Sequence, residues 1–113
     1  MALLWNEYTG HIGILISTLR RALGQYARYC SGYKIGLTVD PEQRWQRHAQ
    51  DGWNDMVVIY STASENYAAE AEFLLIEHGW EADYMPECWN IVRGGGGLRP
   101  GHSRYYIYIL LAN

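Results

Sequence analysis

A cation and an imidazole one helical turn apart are the residues of this chain best placed to do chemistry. They belong to a segment that begins at Tyr33 and reads YKIGLTVDPEQRWQRH. Arg44 and His48 are separated by four positions, so they share one face of a helix. Lys34 lies earlier in the segment, on a predicted strand, two positions before Gly36, which has no side chain. Guanidinium, imidazole and ammonium groups gathered beside such a gap suit a phosphate ligand.

The local sequence predicts the elements that position these groups. Apolar side chains alternate with polar or small ones over residues 33–38, which predicts a strand with one apolar face. Asp40 stands where an N-cap belongs, Pro41 at the first helical position and Gln43 at the third. We therefore predict a helix over residues 41–50.

The other predicted elements follow from caps and hydrophobic periodicity. They are helices over 17–29 (capped by Ser17 or Thr18) and 65–78 (capped by Ser64 and ended by Gly79), and strands over 56–60 and 105–112. Residues 3–16 favour no element. Residues 80–104 are predicted as a long loop with at most one helical turn. The glycine run 94–97 within it lacks the Lys-Ser/Thr that a phosphate-binding loop requires.

These elements predict an α+β fold, with a small sheet of about three strands flanked by helices. A chain of 113 residues is expected to form a single domain, because half that length would bury too small a core. We divide it into an N-terminal extension with one helix, residues 1–32, and a core, residues 33–113.

The overall charge limits the partners that we expect. The formal net charge is −3, which argues against a free-standing, high-affinity nucleic-acid binder. The arginines Arg20, Arg21 and Arg28 are close together in sequence, so contact with DNA is expected to be local and salt-sensitive, or assisted by a partner.

The expected compartment is the cytoplasm. Cys30 and Cys88 lack a zinc-type spacing, which predicts free thiols in a reducing environment. Glu7 and His11 interrupt the first apolar run, which is therefore not typical of a signal peptide. No window reaches the length of a membrane span, so no membrane association is expected.

Glu72 is the carboxylate that stands out in the second predicted helix. Its neighbours three and four positions away are all apolar: Ala68, Ala69, Leu75 and Ile76. Burying a carboxylate in such a stripe is costly unless it finds a cation or donors. Glu72 therefore either extends to solvent from the edge of the stripe or meets a cation.

Three segments of the sequence resemble the GIY-YIG nuclease superfamily. The string YKIG-x-T-x-D-P-x-x-R-x-x-x-H resembles its second strand and first helix, in the phage-type branch that carries "KIG" in place of "YIG". The pattern Ala68-x-x-x-Glu72-x-x-Leu75-Ile76 resembles the helix that delivers the single metal-ligating glutamate, and Trp89-Asn90 resembles a late "W-N" segment. The resemblance implies a protein of bacterial or phage origin.

The tyrosine-bearing strand that opens that superfamily has its counterpart at the end of this chain. Tyr106-Ile107-Tyr108-Ile109-Leu110 has the expected "YVYIL" form. A strand can pair from either end of the sequence, so a circular permutation that moves the first strand to the C-terminus would account for this order. Pairing in trans within a homodimer is the alternative, and the sequence leaves both open.

The resemblance implies a metal-dependent endonuclease that hydrolyses phosphodiester bonds in DNA. Mg²⁺ or Mn²⁺ would bind Glu72, and Arg44 would neutralise charge on the phosphate. Tyr108 would accept the proton of the attacking water, which requires its pKa to fall well below about 10, with Lys34 able to lower it. His48 is the more natural base on physical grounds, so both are kept. Asn90 would hold the site in register.

Two other functions fit the same sequence. The acidic charge favours a catalytically silent accessory module that binds nucleic acid or protein and retains the fold. The second alternative is an enzyme that is active only as an oligomer.

Overall fold

The structure, a computed structural model, describes residues 2–82, 87–90 and 103–113. The described part of the chain forms β1 (Ala2–Thr9), α1 (Ile12–Ala27), β2 (Gly32–Thr38), α2 (Pro41–Gln50), β3 (Asp55–Thr62), α3 (Glu65–Glu81), β4 (Glu87–Cys88) and β5 (Tyr105–Ala112). Within these ranges no helix has the length and apolar character that crossing a membrane requires.

The described strands form one mixed sheet in the order β1-β3-β5-β2-β4. β5 runs antiparallel to both of its neighbours, whereas β1 is parallel to β3 and β4 is parallel to β2. The α+β class is confirmed. The prediction of about three strands is wrong, because the sheet of the described residues has five.

The two unpredicted strands lie at the two edges of the sheet. In β1, every residue from Leu4 to Thr9 is exposed, so the strand lacks the alternation of buried and exposed positions that reveals a strand in a sequence. β4 is only two residues long and falls within the predicted loop. The strands that were predicted are the three inner ones.

The helix caps explain which helix boundaries were predicted correctly. α2 begins and ends as predicted, and the Asp40 carboxylate accepts a hydrogen bond from the Gln43 amide at 3.2 Å. α3 begins after Ser64, whose hydroxyl accepts from the Tyr67 amide at 3.1 Å. The prediction ended it at Gly79, whereas the helix continues to Glu81.

α1 begins five residues before its predicted start. Its cap is His11, whose Nδ1 accepts a hydrogen bond from the Gly13 amide at 3.0 Å. Ile12, the first helical residue, is 1% exposed and packs into the core, so tertiary burial rather than the Ser17 hydroxyl sets the start of the helix.

The two faces of the sheet differ in what covers them. The face that we call the α1/α3 face is covered by two long helices over a large aliphatic core, which includes Ile35, Leu37, Ile59, Leu75 and Ile107. The opposite face, called the α2 face, has a small buried cluster. Its members are Met56, Val58, Tyr108 and Leu110, with Leu3, Trp45, Trp53 and Tyr106 partly buried against them. The alternation of side chains along β2 and β5 therefore sends aliphatic residues to one face and the predicted site residues Lys34 and Tyr108 to the other.

Candidate active site

The candidate site starts from the pairing of β2 with β5 within one chain. Gly36 lies opposite Tyr108, and Lys34 lies opposite Leu110. Residues directly opposite each other project to the same face of a sheet. Lys34 and Tyr108 therefore share the α2 face, and of the two predicted pairings the structure has the one in cis.

Gly36 makes room for the Tyr108 ring. A Cβ atom at position 36 would overlap the ring and the hydroxyl of Tyr108, so the tyrosine lies directly over the backbone of β2. Tyr108 is 4% exposed. The missing side chain at Gly36 thus brings the phenol down onto the sheet and fixes where its hydroxyl can point.

The Tyr108 hydroxyl lies against His48 of α2. The hydroxyl oxygen and His48 Nε2 are 3.1 Å apart, and the two ring centroids are separated by 5.7 Å. Nε2 can accept the phenolic proton in the imidazole tautomer that carries its hydrogen on Nδ1. The capped helix that begins at Asp40 is what holds His48 over the strand.

Arg44 completes the contacts of the phenol, as the spacing of Arg44 and His48 predicted. Its positive charge and its hydrogen-bond donors act on the Tyr108 hydroxyl and oppose the rise that burial causes in its pKa. Arg47, three positions further along α2, also acts electrostatically on Tyr108. A basic residue at this position was not predicted as part of the site, although its spacing from Arg44 is that of one helical face.

Burial dominates the titration of the phenol. It raises the pKa of Tyr108 above its ordinary value, and the Glu72 carboxylate adds to the rise, while the charges of Arg44 and Arg47 and the hydrogen bond from Arg44 oppose it. Tyr108 is therefore a neutral phenol near pH 7. This result disagrees with the expectation that its pKa falls well below about 10.

The pKa of His48 shifts in the opposite direction, below its ordinary value. Burial lowers the pKa of His48, and the neighbouring cations Arg44, Lys34 and Arg47 lower it further, while Asp51 raises it. The imidazole is therefore neutral near pH 7 and able to accept a proton. Of the two candidate bases, His48 is the one in the right protonation state.

Lys34 of β2 is exposed to solvent. It interacts electrostatically with His48, which confirms that the predicted cation of β2 lies near the predicted imidazole of α2. The largest influences on the pKa of Tyr108 are burial, Arg44, Glu72 and Arg47, and their net effect is a rise, so the expected lowering by Lys34 does not prevail.

Glu72 is buried in α3, with 4% exposure, so of the two alternatives its side chain does not extend to solvent. Its carboxylate interacts electrostatically with Tyr108, without a direct hydrogen bond between them. The neighbours on its stripe, Ala68, Leu75 and Ile76, are fully buried. Burying a carboxylate among apolar side chains costs free energy of folding, which nearby positive charges or hydrogen-bond donors must offset.

The donor set around Glu72 suits one kind of metal ion. The described residues contain no group of three or more His, Cys, Asp or Glu side chains that could enclose an ion. Mg²⁺ commonly binds proteins through one or two carboxylates and completes its shell with water and substrate phosphates. One carboxylate such as Glu72, which acts electrostatically on Tyr108, could contribute to that mode, whereas a zinc-type cage would need more ligands.

Asn90 lies beside β2 on the edge away from β5, and its side chain forms hydrogen bonds with the backbone of that strand. Its side-chain oxygen accepts from the Ile35 amide at 2.8 Å, and its side-chain nitrogen donates to the Ile35 carbonyl at 2.8 Å. Ile35 lies between Lys34 and Gly36. Asn90 therefore stands in for a strand partner of β2 at Ile35, and its role in the site stays a prediction.

Two tryptophans extend the α2 face beyond the predicted residues. Trp89 covers Gly32, where a Cβ atom would overlap its indole, and its ring lies 5.6 Å from that of Trp53. Trp53 follows α2 in a short turn, and its sequence context gives no sign of this contact. The alternation of Gly32, Lys34 and Gly36 on one face of β2 is the signal that could have located Trp89.

Comparisons with protein-family models, with curated proteins and with solved structures find no match to this chain.

Proposed function

We propose that the α2 face hydrolyses phosphodiester bonds in DNA, as a metal-dependent endonuclease with a GIY-YIG-type site. The observation that carries the proposal is the contact at 3.1 Å between the Tyr108 hydroxyl and a neutral His48, flanked by Arg44. The resemblance of the segments around Lys34, Glu72 and Asn90 to GIY-YIG nucleases supports the choice of substrate. The sheet has more strands than that resemblance implied, so the proposal concerns the site and its chemistry.

The substrate is oriented by the cations at the site. Two positive charges adjoin the phenol and the imidazole: Arg44, half-buried, acts on both Tyr108 and His48, and Lys34, exposed, acts on His48. A guanidinium can bind two phosphate oxygens at once and stabilises the charge that builds on them during attack. Lys34, as the exposed one, meets the phosphate first.

The proton of the attacking water leaves through the phenol. As the water oxygen forms its bond to phosphorus, its proton passes to the Tyr108 oxygen while the phenolic proton passes to His48 Nε2. The bond from phosphorus to the leaving ester oxygen breaks, and that oxygen takes a proton from solvent. This route leaves Tyr108 neutral throughout, which agrees with its raised pKa, and makes His48 the base.

A divalent ion, Mg²⁺ or Mn²⁺, would be held by Glu72 and would supply Lewis-acid stabilisation of phosphate charge. The residues of the chain bind the phosphate and move the proton. Glu72 also balances, by its negative charge, the arginines that converge on Tyr108.

The experiment is nicking of supercoiled plasmid DNA in Mg²⁺ by wild type and by Glu72→Gln. We expect the substitution to abolish nicking, because it removes the negative charge while nearly preserving the shape of the side chain. The matched control is Glu70→Gln, an exposed carboxylate on the same helix, which should nick at the wild-type rate. Full activity of Glu72→Gln would contradict the proposal.

The catalytically silent module remains the second candidate, favoured by the net charge of −3. It predicts salt-sensitive DNA binding with no Mg²⁺-dependent nicking by the wild-type protein at any protein concentration. The concentration series also tests activity that depends on an oligomer, because the specific nicking rate would then rise with protein concentration.

A further inference from the structure

The distribution of charge along the chain sets α1 apart from the rest. Between His11 and Val39 the sequence contains no Asp or Glu, although the whole chain has 12 acidic residues and a net charge of −3. The same stretch contains Arg20, Arg21, Arg28 and Lys34. Because Lys34 belongs to the candidate active site, the three arginines are the cations that the proposed function leaves unexplained.

These arginines line one groove on α1. The groove has a volume of about 370 Å³ and is lined by Arg20, Arg21, Gly24, Gln25 and Arg28. Arg20, Gly24 and Arg28 are spaced by four residues, so they follow one line along the helix, and Gly24 leaves the middle of that line open. Arg21 and Arg28 are exposed, and Arg20 is half-buried.

The arginines of the groove have no carboxylate partner among the described residues. None of the three arginines forms an ion pair within the described ranges, and the buried Nε of Arg20 has no hydrogen-bond acceptor. Arg20 instead lowers the pKa of His78 on α3, after the larger effect of burial, while Glu81 raises it. The Arg28 guanidinium lies over the ring of Tyr29, at 5.1 Å, and that tyrosine is 85% exposed.

We infer that this groove binds the phosphate backbone of nucleic acid. Guanidinium groups without a carboxylate partner bind phosphate oxygens strongly. A solvent-exposed row of such groups attracts a polyanion rather than a single ion. Arg20 and Arg28 are about 12 Å apart along the helix axis, comparable to three or four nucleotides of a duplex strand. Tyr29 adds an exposed aromatic ring beside the row, a feature of surfaces that bind nucleic acids.

The groove is separate from the candidate active site. α1 packs on the α1/α3 face, whereas Tyr108 and His48 lie on the α2 face. The groove therefore engages a second stretch of nucleic acid and retains the substrate on an otherwise acidic protein. This role adds to the proposed function but does not require that the α2 face cleave DNA.

The test measures binding of a fluorescent 20-base-pair duplex by anisotropy, with EDTA present so that cleavage plays no part. Wild type is compared with R20Q/R21Q/R28Q over a range of salt concentrations. We expect the dissociation constant to rise roughly 100- to 1,000-fold near 0.1 M salt, because two to three phosphate contacts are lost and each is worth close to tenfold there. The slope of log K against log salt should fall by about 2 to 3.

Two further variants keep the test decisive. R21Q/R28Q changes only exposed side chains, so a folding defect at the half-buried Arg20 does not obscure the result, and it should lower the slope by about 1 to 2. R20K/R21K/R28K retains the three charges and should retain most of the slope. Unchanged affinity and slope in both glutamine variants would overturn the proposal.

The failure of this proposal is distinguishable from the failure of the proposed function. Glu72→Gln leaves the groove intact and should bind the duplex with wild-type affinity even when it nicks no plasmid. Competition with inorganic phosphate separates a polymer from a small ion: displacement of the duplex by phosphate at low millimolar concentration would assign the groove to a free anion and overturn the proposal.

Discussion

The two faces of one sheet differ in how completely helices cover them and in which side chains they contain. On the α1/α3 face, two long helices seal an aliphatic core in which residues such as Leu75 and Ile59 are fully buried. On the α2 face, one ten-residue helix covers a small cluster and leaves cationic and titratable groups around a buried phenol. The same strands supply both faces, so the difference arises from what packs on each. It teaches that a short helix covers a sheet face only in part and leaves polar side chains such as Lys34 exposed there.

The largest loss of stability should come from the α1/α3 face. Leu75→Ala removes a fully buried side chain and should lower the free energy of unfolding by about 2 to 5 kcal/mol. Chemical denaturation measures the change, with Leu74→Ala, a less buried position on the same helix, as the control with the smaller loss. A Leu75→Ala protein as stable as wild type would contradict the assignment of the main core to this face.

A smaller loss of stability, accompanied by loss of activity, should follow substitution of Gly36. Gly36→Ala places a Cβ atom where the Tyr108 ring lies, so the ring must leave His48. We expect a cost of about 1 to 3 kcal/mol, typical of overpacking, and loss of nicking. The added cost of Gly36→Ala should largely vanish in a Tyr108→Ala background, because the clash is gone. An equal cost in both backgrounds would show that Gly36 does not serve Tyr108.

The smallest effect on stability should be the dependence on pH. The pKa of His48 is lowered by burial, so below its ordinary value of about 6.5 the unfolded chain binds more protons than the folded one. Stability should therefore fall as the pH decreases through about 6.5 towards the lower folded-state pKa. His78, whose pKa is also lowered by burial, contributes in the same direction. Thermal melts of His48→Gln and His78→Gln should each show a weaker dependence than wild type.

The same two histidines sharpen the comparison between the faces when nicking is measured. His48→Gln should slow nicking by about 10² to 10⁴, as expected for loss of a base, whereas His78→Gln should keep both the rate and its decline at acid pH. If the decline of the nicking rate at acid pH disappears in His78→Gln, the titrating group lies on the α1/α3 face, which would contradict the proposal.

Local chemistry made part of this fold predictable. Asp40, Pro41 and Gln43 mark the start of α2 through contacts within a few residues, and that helix was predicted without error. β1 was not predictable in the same way. It is an edge strand whose exposed residues carry no burial pattern, and only its pairing with β3 reveals it.

The candidate site was predictable in its members but not in its electrostatics. The spacing of Arg44 and His48 placed them together, and the resemblance to a nuclease family brought Tyr108 to the strand that contains Gly36. The direction of the tyrosine pKa depends on burial by residues distant in sequence, so the expected fall was wrong. The contact between Trp53 and Trp89 is likewise long-range, and the sequence around either residue does not encode it.

The central claim is that the hydroxyl of Tyr108, resting on His48, carries the proton in DNA cleavage. Its most direct test is the rate of Mg²⁺-dependent plasmid nicking by Tyr108→Phe, with Tyr106→Phe, two residues away on the same face of β5, as the control. We predict a loss of about 10² to 10⁴ in rate for Tyr108→Phe, with a change of only about 1 kcal/mol in stability, and little effect of Tyr106→Phe. Equal nicking rates for the two variants and wild type would contradict the claim.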